Sequence, residues 1–187
     1  MAVRKTIPGQ IENRNFLSPV GFNFQVNRAP TVSYFGNSIN IPGMSLGIAE
    51  QPNYLTNIPL PGDKIDFQDL TLRFLIDEGL ENYMEIQKWI RGIGFPESLS
   101  EIYDFQKDDD PIKQPERSQL NLYSDGTLTI LDSNHISKFK IVFENLFPYS
   151  LDNIEFDATQ TDIEYLTAEV SFKYSMYNIT EIHHICD

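Results

Sequence analysis

The stretch IPLPGDKIDFQDLTLRFLIDEGLENYMEIQKWI, residues 58–90, decides the fold predicted for this chain. After a Pro-Gly entry comes a strand whose apolar residues alternate, then an acidic corner, then residues with the spacing of an amphipathic helix of about three turns. Asp77 or Glu78 is placed to cap the positive end of the helix dipole, and Gly92 stands where a left-handed cap is expected. The alternating strand residues are Leu70, Leu72, Phe74 and Ile76.

The strand predicted from Ile65 to Ile76 loses its alternation at Gln68 and Asp69, so that Phe67 and Leu70 fall on opposite faces. A β-bulge at this point would restore the pleat.

The segment from Pro42 to Pro61, just before this strand, is dense in Pro and Gly. Each Pro fixes φ and removes a donor, so the segment is predicted to be a long loop rather than a central strand or a regular helix. Its large apolar side chains would be costly to leave in water, so the loop must be covered by its own domain or by a neighbouring subunit. These side chains are Met44, Leu46, Ile48, Tyr54, Leu55, Ile58 and Leu60.

Farther upstream, short alternating runs predict strands at 22–26, 32–35 and 39–41, joined by tight turns that include Gly36-Asn37. Residues 1–18 are polar and lack periodicity, so we expect an exposed arm. We place one domain at residues 19–179 and a short tail at 180–187.

Downstream of the helix, residues 94–117 predict a surface excursion, since prolines and an Asp triplet at 108–110 interrupt every pattern. The triplet lacks the spacing of a calcium loop, which favours a solvated acidic loop over an ion site.

The second half of the chain is rich in predicted strands. Ser124-Asp125-Gly126 predicts a hairpin turn, and a strand from Ile136 to Phe143 is expected to break at Leu146-Phe147-Pro148. The clearest strand is Leu166 to Met176, which alternates apolar and polar residues and is typical of an antiparallel sheet or barrel.

Composition excludes several functional classes. The chain has 187 residues, 14 Lys and Arg against 27 Asp and Glu, and a formal net charge of −13. That balance argues against an ordinary nucleic-acid binder, whose affinity comes from cations at phosphates, although an acidic surface could repel passing DNA. The residues show neither a secretory signal nor an apolar run that could insert in a membrane.

Catalytic chemistry has no support in the sequence. Phosphate-loop, dinucleotide, nucleophile-elbow and zinc-protease motifs are missing, and the carboxylates between 141 and 172 show no arrangement that would separate their pKa values. His183-His184 with the single Cys186 would make at most a weak metal site, and a frayed terminus is the simpler interpretation. We therefore expect no enzyme, no cofactor and no bound metal.

The order of these elements resembles the tail tube proteins of contractile-tailed, T4-type bacteriophages and the related proteins that start the tube on the baseplate. The resemblance covers about residues 20–178 and departs at the N-terminal arm and at 98–117. The segments that carry it are 23–27, 41–43, 58–76, the corner and helix at 77–89, and 143–177, with Phe143 to Pro148 as a strand-then-corner motif and 166–177 as the terminal strand.

The resemblance implies a mainly β (α+β) fold, an antiparallel β-sandwich or barrel with one flanking helix. It also implies a structural virion protein in the phage tail, assembled in the host cytoplasm, whose hexameric rings stack into a tube that contacts sheath and baseplate proteins. Genomic DNA would pass through the lumen without specific binding. Pro42 and the apolar residues of its loop would then cover an adjacent subunit or ring, and acidic residues would line the bore. The acidic candidates are Glu155, Asp157, Asp162, Glu164 and Glu169.

Three alternative functions stay open. A tube initiator or terminator would form a single ring with two different axial faces. A soluble β-sandwich module would instead use the Pro/Gly loop to engage a ligand, and an unrecognised hydrolase is the most distant alternative.

Overall fold

Nine strands and two helices make up the described part of the chain, and every strand pairing is antiparallel. The computed structural model describes residues 17, 21–94, 96–97, 122–132, 135–156 and 165–182. The elements in order are β1 Phe22–Val26, α1 Pro30–Tyr34, β2 Gly36–Ile39, β3 Met44–Pro52, β4 Asn57–Phe67, β5 Leu70–Leu75, α2 Glu81–Gly94, β6 Ser124–Leu131, β7 Ser137–Leu151, β8 Thr167–Lys173 and β9 Met176–Glu181.

The long strand β7 belongs to two sheets at once. Its first part pairs with β6 and β9, and its last part pairs with β8. The change occurs around Asn145, a non-glycine residue with a φ of 55°. The first sheet therefore runs β1-β6-β7-β9 and the second sheet runs β7-β8-β5-β2. The predicted break at Leu146-Phe147-Pro148 is wrong, because the chain stays extended there and transfers from one sheet to the other.

The core lies among the inward faces of the two sheets and the two helices. Trp89 of α2 is buried, packs with its ring centroid 6.2 Å from that of Phe172 in β8, and donates its indole N–H to the carbonyl of Leu122 over 3.1 Å. The alternation predicted for β8 is confirmed, with Ala168, Val170 and Phe172 buried and the intervening residues facing outward. Buried apolar residues come from β1, α1, β5, β6, β7, β8 and α2.

Helix α2 begins where the predicted acidic corner places it. The Asp77 carboxylate accepts the amide of Asn82 over 3.2 Å, and the buried Asn82 side chain donates to the carbonyl of Leu75 over 2.7 Å, which ties the helix to the end of β5. The helix runs 14 residues to Gly94, longer than predicted. Gly92 is buried inside it and does not cap it.

The segment predicted as a strand at 32–35 forms the one-turn helix α1 instead. Pro30 occupies its first turn, where a missing N–H costs nothing. The Ser33 hydroxyl donates to the carbonyl of Ala29 and accepts the amide of Val26, so a local side chain closes the turn. Gly36-Asn37, predicted as a turn, opens strand β2.

Ser124-Asp125-Gly126, predicted as a hairpin turn, lies within strand β6. A Cβ at Gly126 would lie 3.0 Å from the Leu146 side chain and 3.5 Å from the Phe24 ring. The glycine therefore serves close packing inside the first sheet rather than turn geometry.

The last predicted strand is divided in two. After β8 the chain passes through Tyr174 and Ser175, whose amide bonds the carbonyl of Glu144, and pairing moves from the second sheet to β7 of the first. Met176 is consequently exposed rather than buried. Strand β9 extends to Glu181, inside the segment predicted as a tail.

The predicted fold class, mainly antiparallel β with a flanking helix, is confirmed, and α1 is the addition. The N-terminal arm apart from Leu17, most of the 94–117 excursion, and the His183-His184 and Cys186 cluster lie outside the described residues.

Candidate assembly surface

Strands β3 and β4 form a two-stranded sheet of their own, in which residues 44–52 pair with 57–67. The prediction of a long loop in this segment is wrong, although the exclusion of a central strand holds. Each strand of a two-stranded ribbon has one free edge, so Pro52, Pro59 and Pro61 can lack an N–H without leaving a partner unpaired. We call this ribbon, residues 44–67, the hairpin.

A register shift lies between Leu46 and Ile48, in the lower part of the hairpin. Gly62 faces it, and a Cβ built there would lie 2.5 Å from the backbone oxygen of Gly47. The two backbones therefore approach more closely than any side chain at 62 allows.

Apart from Phe67 at its base, the large apolar side chains of the hairpin face solvent. Tyr54 is 98% and Leu55 is 88% exposed at the tip, which is shaped by a bond from the Tyr54 amide to Asn53 and by another from the Asn57 side chain to Glu50. The other exposed apolar residues are Met44, Leu46, Ile48, Ile58, Leu60 and Ile65.

Apolar groups occupy both faces of the ribbon. Ile48 opposes Pro61 and the next residue, Ala49, opposes Leu60, and successive residues of a strand point to opposite faces. A two-stranded hairpin is marginally stable alone in water, and exposed apolar area costs about 25 cal/mol per Å² relative to burial. Both faces of this hairpin thus need a partner surface.

Of the eight residues predicted for this contact surface, seven are exposed and one is placed differently. Pro42 is buried, and its carbonyl accepts the Tyr177 hydroxyl over 3.0 Å, so it lies at the base of the hairpin. Ile65 is also exposed on β4, although its spacing predicts that it begins the strand that runs to Ile76. It therefore belongs to the exposed apolar surface without a sequence pattern that indicates this.

Of the five acidic candidates, two lie in the described part of the chain and three lie outside it. Glu155 is exposed and accepts the side-chain amide of Asn153. Glu169 is exposed on β8 and stands opposite Arg73 of β5, so its charge is partly balanced within the second sheet. Asp157, Asp162 and Glu164 lie outside the described residues.

The described residues can also be compared with what a metal site or a membrane-spanning helix requires. Across these parts of the chain, no three His, Cys, Asp or Glu side chains are grouped so as to hold a metal ion. None of the described helices is long and apolar enough to cross a membrane.

Comparison with known families gives one match over nearly the whole chain: the model of the phage tail tube protein family matches residues 2–180. A search of curated proteins finds no match.

Several solved structures share the fold. A chain of the extracellular contractile injection system PVC sheath-tube complex in the extended state superposes with a TM-score of 0.54 at 18% identity, covering 95% of this chain and all of that one. A chain of the anti-feeding prophage tube-terminating cap gives 0.55 at 14% identity, with 92% and 96% covered. One from the anti-feeding prophage baseplate gives 0.55 at 12%, with 85% and 90% covered.

Proposed function

Because this chain belongs to the phage tail tube protein family, whose members are structural proteins, we propose that it is the repeating, non-enzymatic subunit of a tail tube. In this proposal six copies form a ring, the rings stack, and the hairpin of each copy covers part of a neighbouring subunit or ring. The observation that carries it is the hairpin, an apolar ribbon that is exposed on both faces and that the described residues of the body leave uncovered.

A second copy of the chain is the partner that fits this ribbon best. A contact between two different surfaces of identical subunits produces a ring when its rotation closes and an open stack when it does not. The tip, residues 53–57, carries no charge, so it can enter an acidic neighbour without repulsion. We propose the sheath and the baseplate as further partners, in a particle assembled in the host cytoplasm.

Removal of the hairpin tests this role. The amide of Gln68 lies 2.9 Å from the carbonyl of Gly43, so a short Gly-Ser linker can replace residues 44–66 without straining the body. We expect the shortened chain to fold and to stay as unstacked subunits or rings. Negative-stain images of the full chain should show rings or tubes roughly 80 to 100 Å wide, by analogy with the family. Normal stacking by the shortened chain would refute the proposal.

The rival functions predict different assemblies. A tube initiator or terminator would stop at single rings at every concentration, whereas a repeating subunit would extend into tubes. A monomeric binding module would remain a stable monomer in sizing chromatography, even at high concentration.

DNA passage is a separate part of the proposal. Acidic side chains on the bore would keep phosphates from adhering, since each cationic contact would slow transit. We expect Glu155→Lys, combined with Glu169→Gln because Arg73 stands opposite Glu169, to leave assembly intact and to slow DNA ejection. Ejection of DNA at the normal rate would show that these two residues do not line the bore.

A further inference from the structure

The hairpin joins the body at two points, Pro42 before β3 and the pair Gln68-Asp69 after β4. Gln68 and Asp69 are the only two residues between the end of β4 and the start of β5. In the described parts of the chain, β3 and β4 pair with no other strand. The direction of the hairpin therefore depends on contacts made at this junction.

Aromatic rings connect the last residue of the hairpin to the core. The ring of Phe67 lies 5.9 Å from Tyr174 and 5.6 Å from Tyr177, centroid to centroid. Those two rings lie 5.2 and 5.8 Å from the buried ring of Phe143 in β7. The contacts of Phe67 with Tyr177 and of Tyr174 with Phe143 are edge-to-face, an arrangement that favours defined ring orientations over a sliding apolar contact.

The same two tyrosines hold both strands of the hairpin by their hydroxyls. Tyr174 donates to the carbonyl of Gln68 over 2.7 Å, and Tyr177 donates to the carbonyl of Pro42 over 3.0 Å. Burial raises the pKa of Tyr174 to about 12, so its hydroxyl remains a donor at neutral pH. Residues 174–177, from the end of β8 into β9, thus contact both the entry and the exit of the hairpin.

Polar contacts fix the neighbouring residue Asp69. Its carboxylate accepts the Tyr149 hydroxyl over 2.5 Å and pairs with the Lys173 ammonium. Its backbone carbonyl accepts the side-chain amide of Asn40 over 3.0 Å. The residue is therefore held from β7, from β8 and from the end of β2, which leaves little freedom of rotation at the junction.

The length of the hairpin makes this junction matter. A strand of nine residues spans about 30 Å, so a rotation of about 10° at the base would move the tip by about 5 Å. A shift of that size would remove Tyr54 and Leu55 from any complementary surface.

We propose that Tyr174, Tyr177 and Asp69 are positioning residues that set the direction of the hairpin and thereby the match between its tip and the next copy. The second half of this statement rests on the proposed function, while the first half concerns the single subunit.

The first half is tested on free subunits with two spin labels. Labels at Leu55→Cys in the tip and Lys140→Cys on the exposed face of β7, in a Cys186→Ser chain, report the distance between hairpin and body. We expect one narrow distance in the parent chain and its loss in Tyr174→Phe/Tyr177→Phe, which keeps both rings and removes both hydroxyls.

Tyr83→Phe is the matched control. Its hydroxyl also donates to a backbone carbonyl, that of Asp152 over 3.2 Å, which lies beside Glu169 of β8 and not at the junction. The narrow distance should survive in this control. Asp69→Asn provides a second test that does not depend on the fold tolerating the double tyrosine variant, and it should also broaden the distance. A distance that stays narrow in both junction variants would overturn the proposal.

Stacking is then measured with unlabelled chains. We expect the double tyrosine variant to stack roughly tenfold less well than the parent, and Tyr83→Phe to match the parent. A broadened distance with unimpaired stacking would overturn the link to assembly. If the parent chain itself never stacks, the proposed function fails, while the distance measurement still decides the role of the junction.

Discussion

Apolar side chains are buried in the two-sheet body and exposed in the hairpin. In the body, strands alternate, so Phe74, Val170 and Phe172 are fully buried and the polar residues between them face out. In the hairpin beyond Phe67, the described residues leave both faces uncovered, and Tyr54 and Leu55 are almost fully exposed. The core of the body is buried within one chain, whereas in the proposed function a neighbouring chain covers the hairpin. Stability and assembly should therefore respond to different residues.

The largest expected effect is a core truncation. Phe172→Ala should lower the free energy of unfolding by about 3–5 kcal/mol, because it removes the ring that packs against Trp89 and leaves a cavity. Urea unfolding measures this. Phe156→Ala, at a residue that is 76% exposed, is the matched control and should change stability by less than about 0.5 kcal/mol. Equal losses of unfolding free energy in the two variants would contradict the assignment of Phe172 to the core and Phe156 to the surface.

A backbone change comes next. Gly62→Ala should distort the hairpin at a cost of about 1–3 kcal/mol, because the new Cβ would meet the backbone oxygen of Gly47. Hydrogen exchange should show faster exchange of hairpin amides with the body unchanged. Gly94→Ala, where nothing lies within 4 Å of the added Cβ, should exchange like the parent. Unaltered hairpin exchange in Gly62→Ala would mean that the ribbon relaxes freely.

A smaller effect is expected at the tip. Leu55→Ser should leave urea unfolding of the subunit unchanged and weaken stacking about tenfold, since about 1.5 kcal/mol of apolar burial is lost in each contact. Thr56→Ser, at the neighbouring exposed position, should stack normally. A loss of subunit stability in Leu55→Ser, with stacking intact, would place Leu55 with the body rather than with the interface.

The smallest effect concerns pH at the junction. Hydrogen bonds from Lys173 and Tyr149 hold the pKa of Asp69 below its ordinary value of 3.8. The carboxylate therefore contributes stability above that pH, and the contribution is lost as pH falls through the lowered pKa. The melting temperature of the parent should exceed that of Asp69→Asn at about pH 6, and the difference should shrink at about pH 2.5. A difference that does not vary with pH would show that the charge contributes nothing.

Local sequence patterns predicted those strands and helices whose buried face follows from the periodicity of their own apolar residues. The alternation of Leu70, Leu72 and Phe74 placed β5, and the helical spacing of apolar residues after Asp77 placed α2. Errors arose where a local signal competed with a distant contact. Asp125-Gly126 has turn chemistry, yet Gly126 is needed beneath Leu146, twenty residues away along the chain. Pro148 suggests a break, yet β7 passes through it to reach β8.

The sequence by itself determined that the chain is a mainly antiparallel β protein with one long helix and a segment too apolar to stay uncovered. These are local properties of composition and period, and the order of elements carried the family resemblance. Only the tertiary structure decided that this segment is a ribbon, that its chain changes sheets at Gln68-Asp69, and that Tyr174 and Tyr177 lie beneath its base. Tyr177 and Pro42 are 135 residues apart along the chain, and only the tertiary fold brings them together.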